Sequence, residues 1–370
     1  MMHSTKSLQL RIAAAIVCAA MCALVSPCAA EVTVSGFITK DVRWTEENGP
    51  YYLMQDVVVM PGVRLSIMPG TRIVICKLTL RQRDIPQIDA LDSSTIALTV
   101  EGTLDCVGKP DKRINFVPQN GGGKACSWYG IVLKKAADKT TQIGYTNISG
   151  AYKAISVYSC RPLIHHCQID FNNEGIVCGL HGDAQVYNCV VTHNFAAGIR
   201  MTSANPVFVN NIVAFNRNNG VWGDGVSTMT FEYNCVFGNP DGNLLDCDPE
   251  LGVLKKKNDR KDSVDYKNNI YKNPIFAGSE FDSAAVEKDL TLATDKSKVR
   301  DTTLAKVLHE KLSDSLAARE RITRAPPYTL SRYSPCLHAG TNASEIRNED
   351  GSRSDMGMYG GAKFAPAEKK

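Results

Sequence analysis

"NNIVAFNRNNGVWG", residues Asn210–Gly223, joins a short apolar run to two asparagine clusters and ends on a glycine followed by apolar residues. A disordered loop would not keep the spaced Ile, Val and Phe, and an ordinary strand would not carry so much Asn. "HHCQIDFNNEGIVCG" (His165–Gly179) and "YNCVVTHNFAAGIRM" (Tyr187–Met201) repeat the pattern. The stretch is one turn of a repeat.

Two columns keep step with one period. Small-residue/apolar pairs fall at Gly130-Ile131, Ala154-Ile155, Gly175-Ile176, Gly198-Ile199 and Gly220-Val221, at spacings of 24, 21, 23 and 22 residues. His166, Asn188, Asn210 and Asn234 follow at 22, 22 and 24. Such a period marks a solenoid. Within it, "QVYNCVV", "PVFVNNIV" and "TFEYNCVF" are β-branched or aromatic and punctuated by Asn and Gly, so they read as strands, and no turn has room for an ordinary helix. Three short strands in about 22 residues predict an all-β fold, a right-handed parallel β-helix whose turns stack strand on strand. Asn188 and Asn210 are expected at tight bends, tolerating left-handed backbone and bonding along the stack. Asn216, Asn218 and Asn219 read instead as solvated loop.

The earlier segment "VVVMPGVRLSIMPGTRIVI" (Val57–Ile75) alternates in Val63, Leu65 and Ile67 between Pro-Gly turns, as early turns of the same coil should. "GPYYLMQDVVVMPGVRLSIMPGT" (Gly49–Thr71), "VEGTL" (Val100–Leu104) and "WYGIVL" (Trp128–Leu133) together resemble the N-terminal half of secreted right-handed parallel β-helix proteins of the pectin-lyase-like superfamily. "YSPCLHAG" (Tyr333–Gly340) and "DGSRSDMGMYGG" (Asp350–Gly361) resemble their closing segment. The resemblance implies architecture; binding, structural and catalytic proteins share this framework, so it does not by itself imply an activity.

The remaining segments set the boundaries. Residues 1–30 combine basic Lys6 and Arg11, the apolar "IAAAIVCAAMCALV" and the small-residue ending "SPCAA", and read as an export signal. The apolar run is shorter than the roughly 20 residues a membrane span needs. Removing it lowers the formal charge from +4 to about +2, which gives no nucleic-acid footprint. The β-helix with its N-terminal cap is expected over 31–281, a helical insertion over 282–327, the closing segment over 328–361 and a polar tail over 362–370. The insertion is read from Leu304, Leu308, Leu312 and Leu316, an amphipathic stripe ended by Pro326-Pro327. "KKKNDRKD" (Lys255–Asp262) reads as a solvated loop. The segment before Val57 and the closing segment are expected to cap the two ends of the coil, and the exported chain is expected to be monomeric.

Of 13 cysteines, three lie in the leader. Cys167, Cys189 and Cys235 are expected as a buried sulfur stack, and Cys106–Cys126 and Cys235–Cys247 are the disulfide candidates. His165 and His166 read as bend or packing residues.

Strand alternation locates a candidate site. If Ile155, Ile176, Ile199 and Val221 point inward, the next column, Val132, Ser156, Val177, Arg200 and Trp222, points outward. Two residues further along lie Lys134, Tyr158, Gly179, Thr202 and Asp224. Turns about 4.8 Å apart would stack Arg200 on Trp222 beside Asp224, and a guanidinium next to an aromatic plane suits a sugar bearing a carboxylate. The same pair can also serve only to cover aromatic surface. Neighbouring loops add Asp170, Asn172, Asn173, Glu174, His193, Asn194 and Arg217. The expected binding residues are Arg200, Trp222, Asp224, Tyr158, Asn194 and Arg217.

Three functions remain open: an exported binder of extended acidic polysaccharide at the cell surface or in the periplasm, a uronate lyase or epimerase at the same face, and a structural or adhesin scaffold. Lyase chemistry would use Arg200 on the substrate carboxylate and His193 as base. Related lyases hold calcium in an acid cluster, but only Asp170 and Glu174 lie together here, so no cofactor or metal is expected. "GLHGD" (Gly179–Asp183) is similar to the Gly-His-Gly of polygalacturonases but lacks their Asn-Thr-Asp, paired Asp and Arg-Ile-Lys partners.

Overall fold

The computed structural model describes residues 31–76, 96–119, 126–134, 140–277, 326–343 and 347–361. The expected leader, leucine-striped insertion and polar tail lie outside them. Among the described residues there is no helix, and the chain is an all-β parallel solenoid.

The early turns contain β1 (Val32–Ile38), β2 (Val42–Trp44), β3 (Tyr51–Val59), β4 (Arg64–Ile67), β5 (Arg72–Ile75), β6 (Ala97–Val100), β7 (Thr103–Val107), β8 (Ile114–Pro118) and β9 (Gly130–Leu133). Each later turn then supplies three strands. They are β10 (Gln142–Gly144), β11 (Thr146–Ser149) and β12 (Lys153–Tyr158), then β13 (Leu163–His165), β14 (Gln168–Asp170) and β15 (Glu174–Gly179). The next turns hold β16 (Gln185–Tyr187), β17 (Val190–Thr192) and β18 (Ile199–Thr202), β19 (Val207–Val209), β20 (Ile212–Ala214) and β21 (Asn219–Trp222), and β22 (Thr230–Glu232), β23 (Cys235–Phe237) and β24 (Gly242–Leu245).

These strands stack into three parallel walls. The first is eight-stranded and runs from β2 through β4, β7, β10, β13, β16 and β19 to β22. A second runs from β5 through β8, β11, β14, β17 and β20 to β23, and a third from β6 through β9, β12, β15, β18 and β21 to β24. The long β3 joins them, because Tyr51–Leu53 pair with β5 and Val57–Val59 with β6.

Each wall sends one apolar column inward. In the third wall Ile131, Ile155, Ile176, Ile199 and Val221 lie in register and fully buried, as alternation predicts. Ile143, Ile164, Val186, Phe208 and Phe231 do the same in the first wall, and Ile148, Ile169, Val191, Val213 and Val236 in the second. At about 1.5–3 kcal/mol for each side chain fully buried, these columns are the main source of cohesion between turns.

The corners explain the polar pattern. One bend column places Tyr145, His166, Asn188, Asn210 and Tyr233 in the left-handed region, at φ between 47° and 60°. A second does so with Phe171, His193 and Phe215. Left-handed geometry at Asn188 and Asn210 is therefore as expected, but their side chains do not bond along the stack. Asn188 Nδ2 donates to the carbonyls of Asp355 and Gly357 at 3.1 and 3.3 Å, and Asn210 Oδ1 accepts the Thr341 amide at 2.8 Å.

The true ladders sit one and six residues after Asn210. Asn211, Asn234 and Asn269 form the first, in which Asn234 Oδ1 and Asn269 Oδ1 each accept both the amide and the side-chain nitrogen of the asparagine one turn before. Asn172, Asn194, Asn216 and Asn239 form the second in the same way, at 2.9–3.1 Å. Asn216 and Asn219, read as solvated, are buried; only Asn218 is exposed. The error arises because a polar side chain that supplies its neighbours' hydrogen bonds can stay in the interior.

Cys167 and Cys189 extend the first ladder as a sulfur pair, the Cys167 amide meeting Cys189 Sγ at 3.4 Å and the Cys189 amide meeting Asn211 Oδ1 at 2.8 Å. Cys235 is not the third sulfur. Val209 pairs with Glu232, so the last turn is one residue longer and Asn234 takes that place.

The C-terminal end is closed by residues after β24, with Leu251 buried in the core, an antiparallel pair of β25 (Lys256–Lys257) and β26 (Ser263–Val264), and Ile270 bridging to Cys235. Lys255–Lys257 are exposed, as expected of that loop. The closing segment is not the end cap it was expected to be. It lies along the flank of the second wall, where Met356, Met358, Cys336 and Ala339 pack on Val190, Ile212 and Cys235. The outward Val190, Ile212, Ala214 and Cys235 of its later turns are apolar, and the lateral strip covers them.

Candidate functional site

The outward column of the third wall runs Val132, Ser156, Val177, Arg200, Trp222 and Leu245 in unbroken register. Val132, Ser156 and Val177 are buried, while Trp222 keeps 36% of its surface. Arg200 stacks on Trp222, its guanidinium carbon 4.9 Å from the ring centroid. Its Nη1 also donates to Glu174 Oε1 at 2.9 Å. Glu174 is buried, and its Oε2 has no hydrogen-bond partner among the described residues. Glu174 pairs in register with Lys153, whose ammonium lies over the rings of Tyr129 and Tyr152 at 5.8 and 5.2 Å. Glu174 thus connects Arg200 to a second group of charged and aromatic side chains.

The other expected members separate into distinct environments. Tyr158 lies in the neighbouring column, with its ring over Gly179, where an added Cβ would come within 2.9 Å of it. Asp224 accepts the amides of Ser203, Val226 and Ser227 at 2.6–3.1 Å. Burial alone would raise its carboxyl, but these amides outweigh it and hold the group at about 2. Asp224 is thus an anionic turn-former. Arg217 covers the Phe195 ring at 4.5 Å and is exposed. Asn194, with Asn172, is a fully buried ladder residue whose amide is consumed by its neighbours, so it offers nothing to a sugar.

His193 occupies the second bend column instead of the Arg200 face. Its ring stacks on Phe171 at 5.6 Å and lies near Phe215 and Tyr328 at 5.8 and 6.2 Å. Nδ1 shares a 2.9 Å hydrogen bond with Thr192 Oγ1, and burial lowers its pKa. Asp170 belongs to the same corner, where it accepts from Tyr328 Oη at 2.7 Å and Gln168 Nε2 at 2.8 Å, and burial raises its pKa. Asp170 and Glu174 therefore have separate partners. Among the described residues no group of three or more His, Cys, Asp or Glu could hold a metal ion.

One cavity escaped the sequence. About 410 Å³ opens between the first bend column and the closing segment, lined by Arg113, Tyr145, His166, Asn348, Asp355 and Tyr359 among others. Arg113 Nε donates to Asn147 Oδ1 at 2.6 Å, while Nη1 is buried without a partner among the described residues. Glu349, Asp350 and Asp355 all line the same space, so carboxylates outnumber the guanidinium and the cavity is poorly suited to a polyanion. No sequence signal exposes it, because its walls come from turns and a closing segment far apart in the chain.

Residues 123–248 match the family model described as "Right handed beta helix region". Those residues form a right-handed β-helix region within the longer parallel solenoid. The match covers the turns that carry Arg200 and Trp222, and the architecture is consistent with the pectin-lyase-like superfamily. It supports a polysaccharide-related scaffold and stops there. A search of curated proteins found no match, and neither did a search of solved structures.

Proposed function

We propose that this β-helix is exported and binds extended acidic polysaccharide along the outward side of its third wall, with Trp222 as the stacking plane and Arg200 as the carboxylate partner. The observation that carries the reading is the pairing of a part-exposed indole with a guanidinium on adjacent, registered strands. Glu174 engages Arg200 through Nη1, and the Arg200 side chain remains 42% exposed. A guanidinium has five donors, so one ion pair leaves others for a sugar carboxylate. Turns repeating at about 4.8 Å place the part-exposed Arg200, Trp222 and Leu245 in line for a linear polymer.

Binding is preferred over cleavage because His193, the base the lyase reading needs, is bonded to Thr192 and stacked among aromatic rings at another corner. The test is a glycan array of charged and neutral polymers, followed by titration of the best binder and an ultraviolet assay for unsaturated uronate products. Binding of uronate polymers without new absorbance supports the proposal. Accumulating unsaturated product would make the chain a lyase, and absence of all glycan binding would favour a scaffold.

A further inference from the structure

The flank beneath the closing segment holds two thiols that the glycan face does not use. Cys235 opens β23 and faces away from the solenoid interior, into an apolar cluster shared with Ile212, Ile270 and Cys336. Cys235 and Cys336 are both fully buried. The Cys235 thiol donates to the Lys272 carbonyl at 3.2 Å, and the Cys336 thiol lies in the same packed cluster, near enough to act on it electrostatically. Ser334 fixes Cys336 over the same stretch, because its hydroxyl donates to the Pro274 carbonyl and accepts the Cys336 amide at 3.1 Å. From the other side, the Met356 amide donates to the Cys336 carbonyl at 3.0 Å.

The disulfides expected from sequence have no such geometry. Cys247 packs against the solenoid core, a cluster separate from the one holding Cys235. Cys106 is buried and faces Thr146 Oγ1 at 3.6 Å. No two of the ten cysteines among the described residues are bonded to each other in this structure.

We propose that Cys235 and Cys336 are a disulfide site that staples the closing segment to the last turns of the solenoid. The oxidant is a small disulfide such as oxidised glutathione. One protein thiolate attacks it to give a mixed disulfide and release one thiol; the second protein thiolate then attacks the mixed disulfide and releases the other. Two protein thiols thus become one disulfide, and the incoming disulfide becomes two thiols. Both sulfurs are shielded once the segment has docked, so the bond forms while it is being laid down. The neighbouring Cys336 thiol and burial also push the Cys235 thiol well up, which makes the docked pair slow to exchange.

Position in the chain gives this bond its effect. It joins residues about a hundred positions apart, and long closed loops are where a cross-link restricts the unfolded chain most. Cys167 and Cys189 also lie close, but they sit on adjacent turns already joined by strand pairing, so a link there would constrain little. The proposal does not depend on glycan binding.

The full chain without its leader should be refolded in a glutathione redox buffer, denatured, alkylated and mapped by mass spectrometry. The expected result is a mass about 2 Da lower and one linked pair of peptides containing Cys235 and Cys336. Reductant should lower the melting temperature of the wild type by about 5 °C or more and leave a folded Cys336→Ala variant unchanged. Should that variant fail to fold, the wild-type map decides alone. Full alkylation of both cysteines in protein that has refolded, or linkage of either to a different cysteine, overturns the proposal.

Discussion

Arg200 is held between Trp222 and Glu174, 4.9 Å from the indole centroid and 2.9 Å from the buried carboxylate. The indole therefore has one face against the guanidinium, and its remaining exposed surface faces outward. Trp222→Ala should weaken binding of the best acidic glycan by about 1–3 kcal/mol while leaving the fold intact. Titration calorimetry on both proteins checks this; unchanged affinity would move the glycan elsewhere.

Removing Arg200 has two separable consequences. Glu174 loses its only ion-pair partner among the described residues, which should destabilise the protein by about 1–2 kcal/mol, a value reduced because Arg200 is partly solvated. Adding Glu174→Gln to Arg200→Ala should recover much of that loss in a urea titration. Glycan affinity should not recover, and it should fall more for charged than for neutral polymers. Equal loss for both would remove the carboxylate role.

The ladders predict an unequal response from neighbouring asparagines. Asn216→Leu leaves the Asn194 amide, the Val191 carbonyl and Asn239 Oδ1 each short of a partner, and should cost about 3 kcal/mol. Asn218→Ala, at an exposed position, should stay within about 0.5 kcal/mol. Asn210→Leu should cost about 1–3 kcal/mol, and hydrogen exchange should place the loss in the closing segment, where its partners Thr341 and Ser354 lie. Uniform loosening of all turns in that variant would contradict the assignment.

The repeat was legible because a solenoid writes its inward column into the chain at every turn: Ile155, Ile176, Ile199 and Val221 were identified by spacing and are stacked and buried. The outward register of Arg200 and Trp222 followed from alternation alone. Corners were harder. Asn210 and Asn211 differ by one position, yet one turns the backbone and docks the closing segment while the other holds the ladder. The position of His193 depended on loop length between strands, which alternation does not fix. Cys336 lies beyond the repeat, so its meeting with Cys235 left no periodic trace.

Acid should loosen the closing segment before it unfolds the turns. His166 Nε2 lies 2.9 Å from the Gly360 carbonyl and must carry the proton there, so its Nδ1 accepts from His165 Nδ1 at 3.0 Å. Burial, with Arg113 nearby, lowers His165 to about 4; burial, His165 and Arg113 lower His166 to about 3 despite the Gly360 bond. In the unfolded chain both would take up protons near pH 6.5. The unfolded state therefore binds more protons between about pH 6.5 and 3, and stability falls as pH drops through that window. Asp170, raised by burial, opposes part of the loss near pH 4. Arg113 faces the pair as a like charge, and the carboxylates of Glu349, Asp350 and Asp355 line the same cavity. Melting temperature should be nearly flat above pH 7 and decline from about pH 6.5 toward 4, with early exchange at residues 347–361. His166→Asn, which tolerates the φ of 52°, should flatten the slope; a variant as acid-sensitive as the wild type would show that the sensitivity arises elsewhere.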